Sequence, residues 1–71
     1  MSIKTRHIID SLENPTPEVA ALETRFANAL RAGNAGAWRE TVRLIEDALG
    51  LDSWYPTTLQ TLNRLALANK I

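Results

Sequence analysis

The stretch from Trp38 to Gly50 constrains the fold of this chain more than any other. On a helical wheel its apolar and charged residues occupy two separate arcs, which predicts a helix with one buried and one solvated face. Gly50 follows where a helix that closes in the left-handed conformation favours a residue without Cβ. The apolar arc holds Trp38, Thr41, Val42, Leu44, Ile45, Ala48 and Leu49, and the charged arc holds Arg39, Glu40, Arg43, Glu46 and Asp47.

Length and composition limit what such a chain can be. With 71 residues it forms a single domain. The absence of cysteine excludes disulfides and thiolate metal sites. Eight basic residues balance eight acidic ones, which argues against a strongly basic nucleic-acid coat protein. The first residues contain no long apolar run, so we expect no signal peptide or membrane anchor and a soluble, cytoplasmic protein.

Four helices are predicted in an all-α bundle. Ser2 and Thr16 are the expected N-caps of the first two, with Pro17 at the first helical position. Thr57 and Gln60 fit a capping box before the last helix. The small residues at 33–36 predict a short turn that makes the second and third helices a hairpin. We therefore predict three main helices plus a short N-terminal one, at approximately residues 3–12, 17–32, 36–49 and 58–68.

Two adjacent aromatic residues, Trp54 and Tyr55, lie in the irregular segment before the last helix. One interpretation is that Trp54 plugs the end of the small core. The other is that the pair anchors a protein partner, because Trp and Tyr contribute strongly to interface energies and loops often carry function. A split, with Trp54 inside and Tyr55 outside, is a third arrangement.

Charged residues surround this aromatic pair. The spacing of Arg43 to Glu46 and Asp47 predicts pairing along one helix, and with Asp52 and Glu40 these acids form either an acidic patch for a basic partner or a solvated face. We expect a small non-enzymatic protein-interaction module, such as an adaptor, docking domain or inhibitor, that binds a larger protein. Phage-encoded inhibitors of bacterial machinery offer an analogy. The expected protein-binding residues are Trp54, Tyr55, Asp47, Asp52 and Arg43.

DNA binding is the alternative function. No acid follows Asp52, and Ala48-Leu49-Gly50-Leu51-Asp52 with Thr58-Leu59 resembles the ALGLS…TL pattern of helix-turn-helix regulators, although a longer, proline-containing turn separates the two parts here. The resemblance implies a DNA-binding regulator whose last helix enters the major groove. On the exposed side of that helix we expect Gln60, Thr61, Asn63 and Arg64, side-chain types that read base edges.

No residues with the spacing of a catalytic, metal or cofactor site are found, so we expect no enzyme and no cofactor. His7 is the single histidine, and Asp10, one turn along, could do no more than pair with it. Leu67 and Ile71 fall outside the apolar face of the last helix. They either form a symmetric homodimer or remain exposed at a frayed end.

Overall fold

The computed structural model describes residues 2–71, and its regular secondary structure there is entirely helical. The four helices confirm the predicted all-α architecture with an additional N-terminal helix. Each of these helices is too short or too polar to serve as a membrane span. They are α1 (Ile3–Glu13), α2 (Pro17–Arg31), α3 (Ala35–Ala48) and α4 (Pro56–Leu67).

Side-chain caps start the first three helices. The Ser2 hydroxyl accepts a hydrogen bond from the Thr5 amide at 3.0 Å, and the Thr16 hydroxyl accepts one from the Val19 amide at 3.3 Å, as predicted. Asn34 caps α3 in the same way through the Ala37 amide at 3.1 Å. Each cap satisfies an amide that has no partner within its helix.

The start of α4 differs from the prediction. The helix begins at Pro56 with Tyr55 as its N-cap, and no side chain caps it, so the predicted capping box of Thr57 and Gln60 is wrong. Proline at the first helical position has a fitting φ and no amide hydrogen that needs a partner. The helix therefore starts two residues before the predicted Thr58.

The helices pack as two pairs. The short connection between α2 and α3 folds them into the predicted hairpin. In this hairpin the rings of Phe26 and Trp38 pack edge to face, with their centroids 6.3 Å apart. Lys4 contacts Tyr55 where α1 and α4 begin, and Glu13 contacts Arg64 further along both helices. Both contacts join residues 51 positions apart, so α1 and α4 run side by side in the same direction.

One hydrophobic core joins both pairs. Trp38, Tyr55 and Ile71 are partly buried against it. Its buried apolar side chains are Ile8, Leu12, Val19, Phe26, Ala27, Val42, Ile45, Leu51, Leu62, Leu65 and Ala66.

Three residues of α3 are placed contrary to the helical wheel. Glu46, assigned to the solvated arc, is fully buried, whereas Leu44 and Ala48, assigned to the apolar arc, are exposed. The cause is tertiary: the segment 49–55 folds back along α3 and covers Glu46, and its Tyr55 amide supplies the carboxylate with a hydrogen bond. The wheel shows the period of a helix but does not show which elements flank it.

The turn that ends α3 closes in the left-handed conformation. Gly50 has φ of +75°, and the amide of Leu51 donates to the Glu46 carbonyl at 2.9 Å, which confirms the predicted left-handed closure.

After α4, the Arg31 guanidinium donates to the carbonyls of Ala66 at 3.2 Å and Ile71 at 2.7 Å. Residues 69–71 are thereby held against the bundle.

Candidate protein-binding site

The segment between α3 and α4 is attached to α3 through Glu46. One carboxylate oxygen, Oε2, accepts the backbone N–H of Tyr55 at 2.9 Å, and the other accepts Nη1 of Arg43 at 3.3 Å. Both oxygens of this buried acid therefore have donors, as a buried charge requires. The helical periodicity of α3 predicts Glu46 on the solvated face, so this connection was not expected from the sequence.

Arg43 extends the network to the surface. Its Nη2 donates to Oδ1 of Asp47 at 2.6 Å, and both side chains are largely solvated, at 45% and 63% exposure. An exposed pair of this kind contributes little to stability. The pair connects Asp47 to the Arg43–Glu46 contact and, through Glu46, to the segment that carries Trp54.

Tyr55 connects the segment to α1 through its hydroxyl group. Its hydroxyl donates to Oδ1 of Asp52 at 2.8 Å and accepts from Nζ of Lys4 at 3.2 Å, and the Lys4 ammonium lies 5.3 Å from the ring centroid. The hydrogen bond from Tyr55 lowers the pKa of Asp52, and the hydrogen bond to Tyr55 raises the pKa of Lys4. Both groups thus remain charged at neutral pH.

Trp54 lies outside the core and is 48% exposed, while Tyr55 is partly buried against the core. This placement is the reverse of the predicted split, and the core-plug interpretation of Trp54 is wrong. The partly buried tryptophan is Trp38, which meets Phe26. Because Trp54 directly precedes Tyr55, the hydrogen bonds of Tyr55 constrain where the backbone of Trp54 lies.

Hydrogen bonds through Glu46 connect four of the five predicted protein-binding residues, Arg43, Asp47, Asp52 and Tyr55, and the fifth, Trp54, directly precedes Tyr55. Ile3, which is 91% exposed, directly precedes Lys4, which contacts Tyr55. We call this region the Trp54 surface. It consists of Ile3, Lys4, Arg43, Asp47, Asp52, Trp54 and Tyr55.

The four predicted DNA-reading residues are not all exposed. Gln60 and Arg64 are exposed, but Thr61 is 4% exposed and Asn63 is partly buried, so the prediction that they share a solvated face is wrong. The reason is the parallel packing of α1, since Thr61 lines a groove together with Thr5 and Ile9. Arg64 is also bonded to Glu13 at 3.2 Å.

A second buried acid, Glu23 on α2, was not identified from the sequence. It is 1% exposed, its Oε2 has no hydrogen-bond partner within residues 2–71, and burial raises its pKa to about 7. The signal was available, because Val19, Glu23 and Phe26 follow helical spacing and place Glu23 on the apolar stripe of α2. Glu23 also lines a cavity with a volume of about 140 Å³.

Among residues 2–71 no group of three or more histidine, cysteine or acidic side chains is arranged to hold a metal ion. His7 is exposed on α1. No family model, curated protein or solved structure matches this chain. Inferences about function therefore depend on the geometry of the described residues.

Proposed function

We propose that this chain is a small non-enzymatic protein-interaction module, an adaptor, docking domain or inhibitor, that binds a larger protein through the Trp54 surface. The observation that carries the proposal is the 48% exposure of Trp54 within a segment that is hydrogen-bonded to both α3 and α1. Tryptophan is enriched among the few residues that dominate interface energies. An exposed indole on an ordered segment fits that role.

The backbone next to Trp54 is held in place in the free protein. The amide of Tyr55 is bonded to Glu46, and its hydroxyl is bonded to Asp52 and Lys4, so the backbone next to Trp54 is constrained before any partner arrives. Association then loses less conformational entropy than it would from a mobile loop. A constrained segment also fixes the direction in which the indole projects.

The chemistry of the surface indicates what the partner must offer. Trp54 and Ile3 are apolar and exposed, and Asp47 and Asp52 provide exposed carboxylate oxygens within the same surface. The two bases, Lys4 and Arg43, already donate hydrogen bonds within the surface. We infer a partner with an apolar pocket for the indole and with hydrogen-bond donors or basic side chains at its rim.

Affinity capture tests the proposal. The purified protein is used as bait in nuclease-treated extract of its own cells, beside the variants Trp54→Ala and Leu67→Ala. Leu67 is the matched control, because it is apolar and 82% exposed but lies on α4 beyond Arg64, away from the Trp54 surface. A protein retained by the wild type and Leu67→Ala but lost from Trp54→Ala supports the proposal. Equal retention by Trp54→Ala would overturn it.

DNA binding remains a second, less supported proposal. The observation in its favour is that α4 presents Gln60 and Arg64 to solvent in a region without acids after Asp52. Against it, the connection between α3 and α4 spans seven residues, 49–55, whereas the turn of a helix-turn-helix motif has three or four. Binding of duplex DNA that weakens steeply with salt and with Arg64→Ala would favour this alternative.

A homodimer is a separate prediction. Ile71 packs partly against the chain's own core, so of the two residues named for the dimer only Leu67 is fully available. Sedimentation equilibrium of the wild type and Leu67→Ala tests it. A dimer mass that Leu67→Ala reduces to a monomer mass is the expected result of such a contact.

A further inference from the structure

A cavity of about 140 Å³ lies beside the C-terminal end of α1, whereas the Trp54 surface lies beside the start of that helix. A cavity of about 150 Å³ is large enough for a molecule such as benzene, so this one has room for a small organic ligand. Seven residues from α1, α2, α4 and the segments next to them line it. They are Leu12, Glu13, Pro15, Glu23, Leu65, Lys70 and Ile71.

Glu23 contributes a buried carboxylate to the lining of the cavity. The side chain is 1% exposed, and its Oε2 has no hydrogen-bond partner among the described residues. Buried polar oxygens are almost always hydrogen-bonded, because an unpaired one loses its hydration without compensation. A ligand that donates a hydrogen bond to this carboxylate would therefore be stabilised there.

The Glu23 carboxylate has no ionic partner among the described residues. The other charged residues of the lining are Glu13 and Lys70, and Arg31, next to the lining, donates to the Ile71 carbonyl. Glu13 is bonded to Arg64, and among residues 2–71 no ion pair joins Lys70 to Glu23. Lys70 can thus compete for the carboxylate but does not occupy it.

The walls decide which kind of cation fits. Leu12, Pro15, Leu65 and Ile71 are apolar, so they favour a ligand with a hydrocarbon chain. A hard metal ion instead requires several oxygen ligands, and the described residues offer no group of three acids. A primary ammonium group carries three donors on a compact head, which suits a single carboxylate in a lining that also offers apolar side chains.

We propose that this cavity binds a small primary amine, whose ammonium group donates to the Glu23 carboxylate and whose alkyl chain packs against Leu12, Leu65 and Ile71. The site is independent of the Trp54 surface. Burial raises the pKa of Glu23 to about 7, so the free protein holds this group mainly protonated below that pH and mainly ionised above it. Because only the ionised form pairs with the ammonium group, affinity rises with pH through this range.

Titration with n-butylammonium, followed by amide chemical shifts of the full chain, tests the site. At pH 8.5 we expect saturable shifts at Leu12, Glu23, Leu65 and Ile71. We expect 1-butanol, which has the same chain and no charge, to bind at least about tenfold more weakly, since it cannot form the charge-assisted bond. Shifts that do not saturate, or equal binding of 1-butanol, would overturn the proposal.

Two further arms locate the binding at Glu23. Glu23→Gln should weaken n-butylammonium binding at least about tenfold, and Glu18→Gln, which removes an exposed acid of the same helix, should leave it unchanged. In the wild type, affinity should fall at least about tenfold from pH 8.5 to 5.5, because Glu23 becomes protonated while exposed acids do not. The pH series needs no variant. An affinity for n-butylammonium that does not change with pH would refute the site. So would an affinity that Glu18→Gln lowers as much as Glu23→Gln does.

Discussion

The fully buried carboxylate of Glu46 accepts the backbone N–H of Tyr55 at 2.9 Å. This contact joins α3 to the residue that caps α4, across the segment that carries Trp54. It also explains why an acid is tolerated inside so small a bundle, because Arg43 supplies the second oxygen of the same carboxylate with a donor. The order of the Trp54 surface therefore depends on an interior residue.

Replacing Glu46 with Ala should destabilise the protein by about 2–3 kcal/mol, because the Tyr55 amide loses its charged acceptor and the removed side chain leaves a gap. Asp47→Ala is the matched control. It removes the exposed partner of Arg43 on the same helix turn and should change the free energy of unfolding by less than about 1 kcal/mol. Urea unfolding of both variants measures the difference, and similar effects of the two would contradict the described role of Glu46.

Replacing Gly50 with Ala should destabilise the protein by about 1 kcal/mol. No atom would obstruct the added Cβ, so the loss comes from the φ of +75°, which L-residues rarely adopt. Gly36→Ala is the control, because Gly36 lies in α3 and its added Cβ meets only the Asn34 side chain at 3.8 Å. That variant should be stabilised by up to about 1 kcal/mol. Thermal unfolding that shifts the two variants in the same direction would contradict this account.

Glu23 should make stability depend on pH. Its pKa is raised from 4.5 to about 7 on folding, so the folded state binds the proton more tightly than the unfolded state does. The resulting stabilisation is complete below about pH 4.5 and is lost as the pH rises through about 7. Its size is on the order of 3 kcal/mol.

Glu23→Gln removes this dependence, so the variant should gain stability relative to the wild type as the pH increases from 4.5 to 8. Urea unfolding at several pH values measures the difference between the two proteins, in which contributions from other titrating groups cancel. A difference that stays constant across this range would show that Glu23 has an ordinary pKa in the folded state.

The sequence predicted the elements of this fold well because most of their determinants are local. The caps at Ser2 and Thr16, the proline at the start of α2 and the glycine after α3 each act within a few residues, and all are present in the structure. The start of α4 was misplaced because two local signals competed. Pro56 prevailed over the hydroxyl of Thr57 as the start of the helix.

The site was predicted less completely, because its arrangement depends on contacts distant in sequence. The five residues named for protein binding do lie together, but the acid that joins them, Glu46, was placed in solvent. Lys4 could not be associated with Tyr55, since that contact requires the parallel packing of α1 and α4. Thr61 was misplaced for the same reason, because α1 covers it.

The central claim is that Trp54 anchors a protein partner and contributes little to the fold. The most direct measurement is the dissociation constant of the captured partner for the wild type, Trp54→Ala and Leu67→Ala, each with its free energy of unfolding. We predict that Trp54→Ala weakens binding by about 2 kcal/mol or more and changes stability by less than about 1 kcal/mol, and that Leu67→Ala leaves the affinity for the partner near wild type. Unchanged affinity in a folded Trp54→Ala variant would contradict the claim.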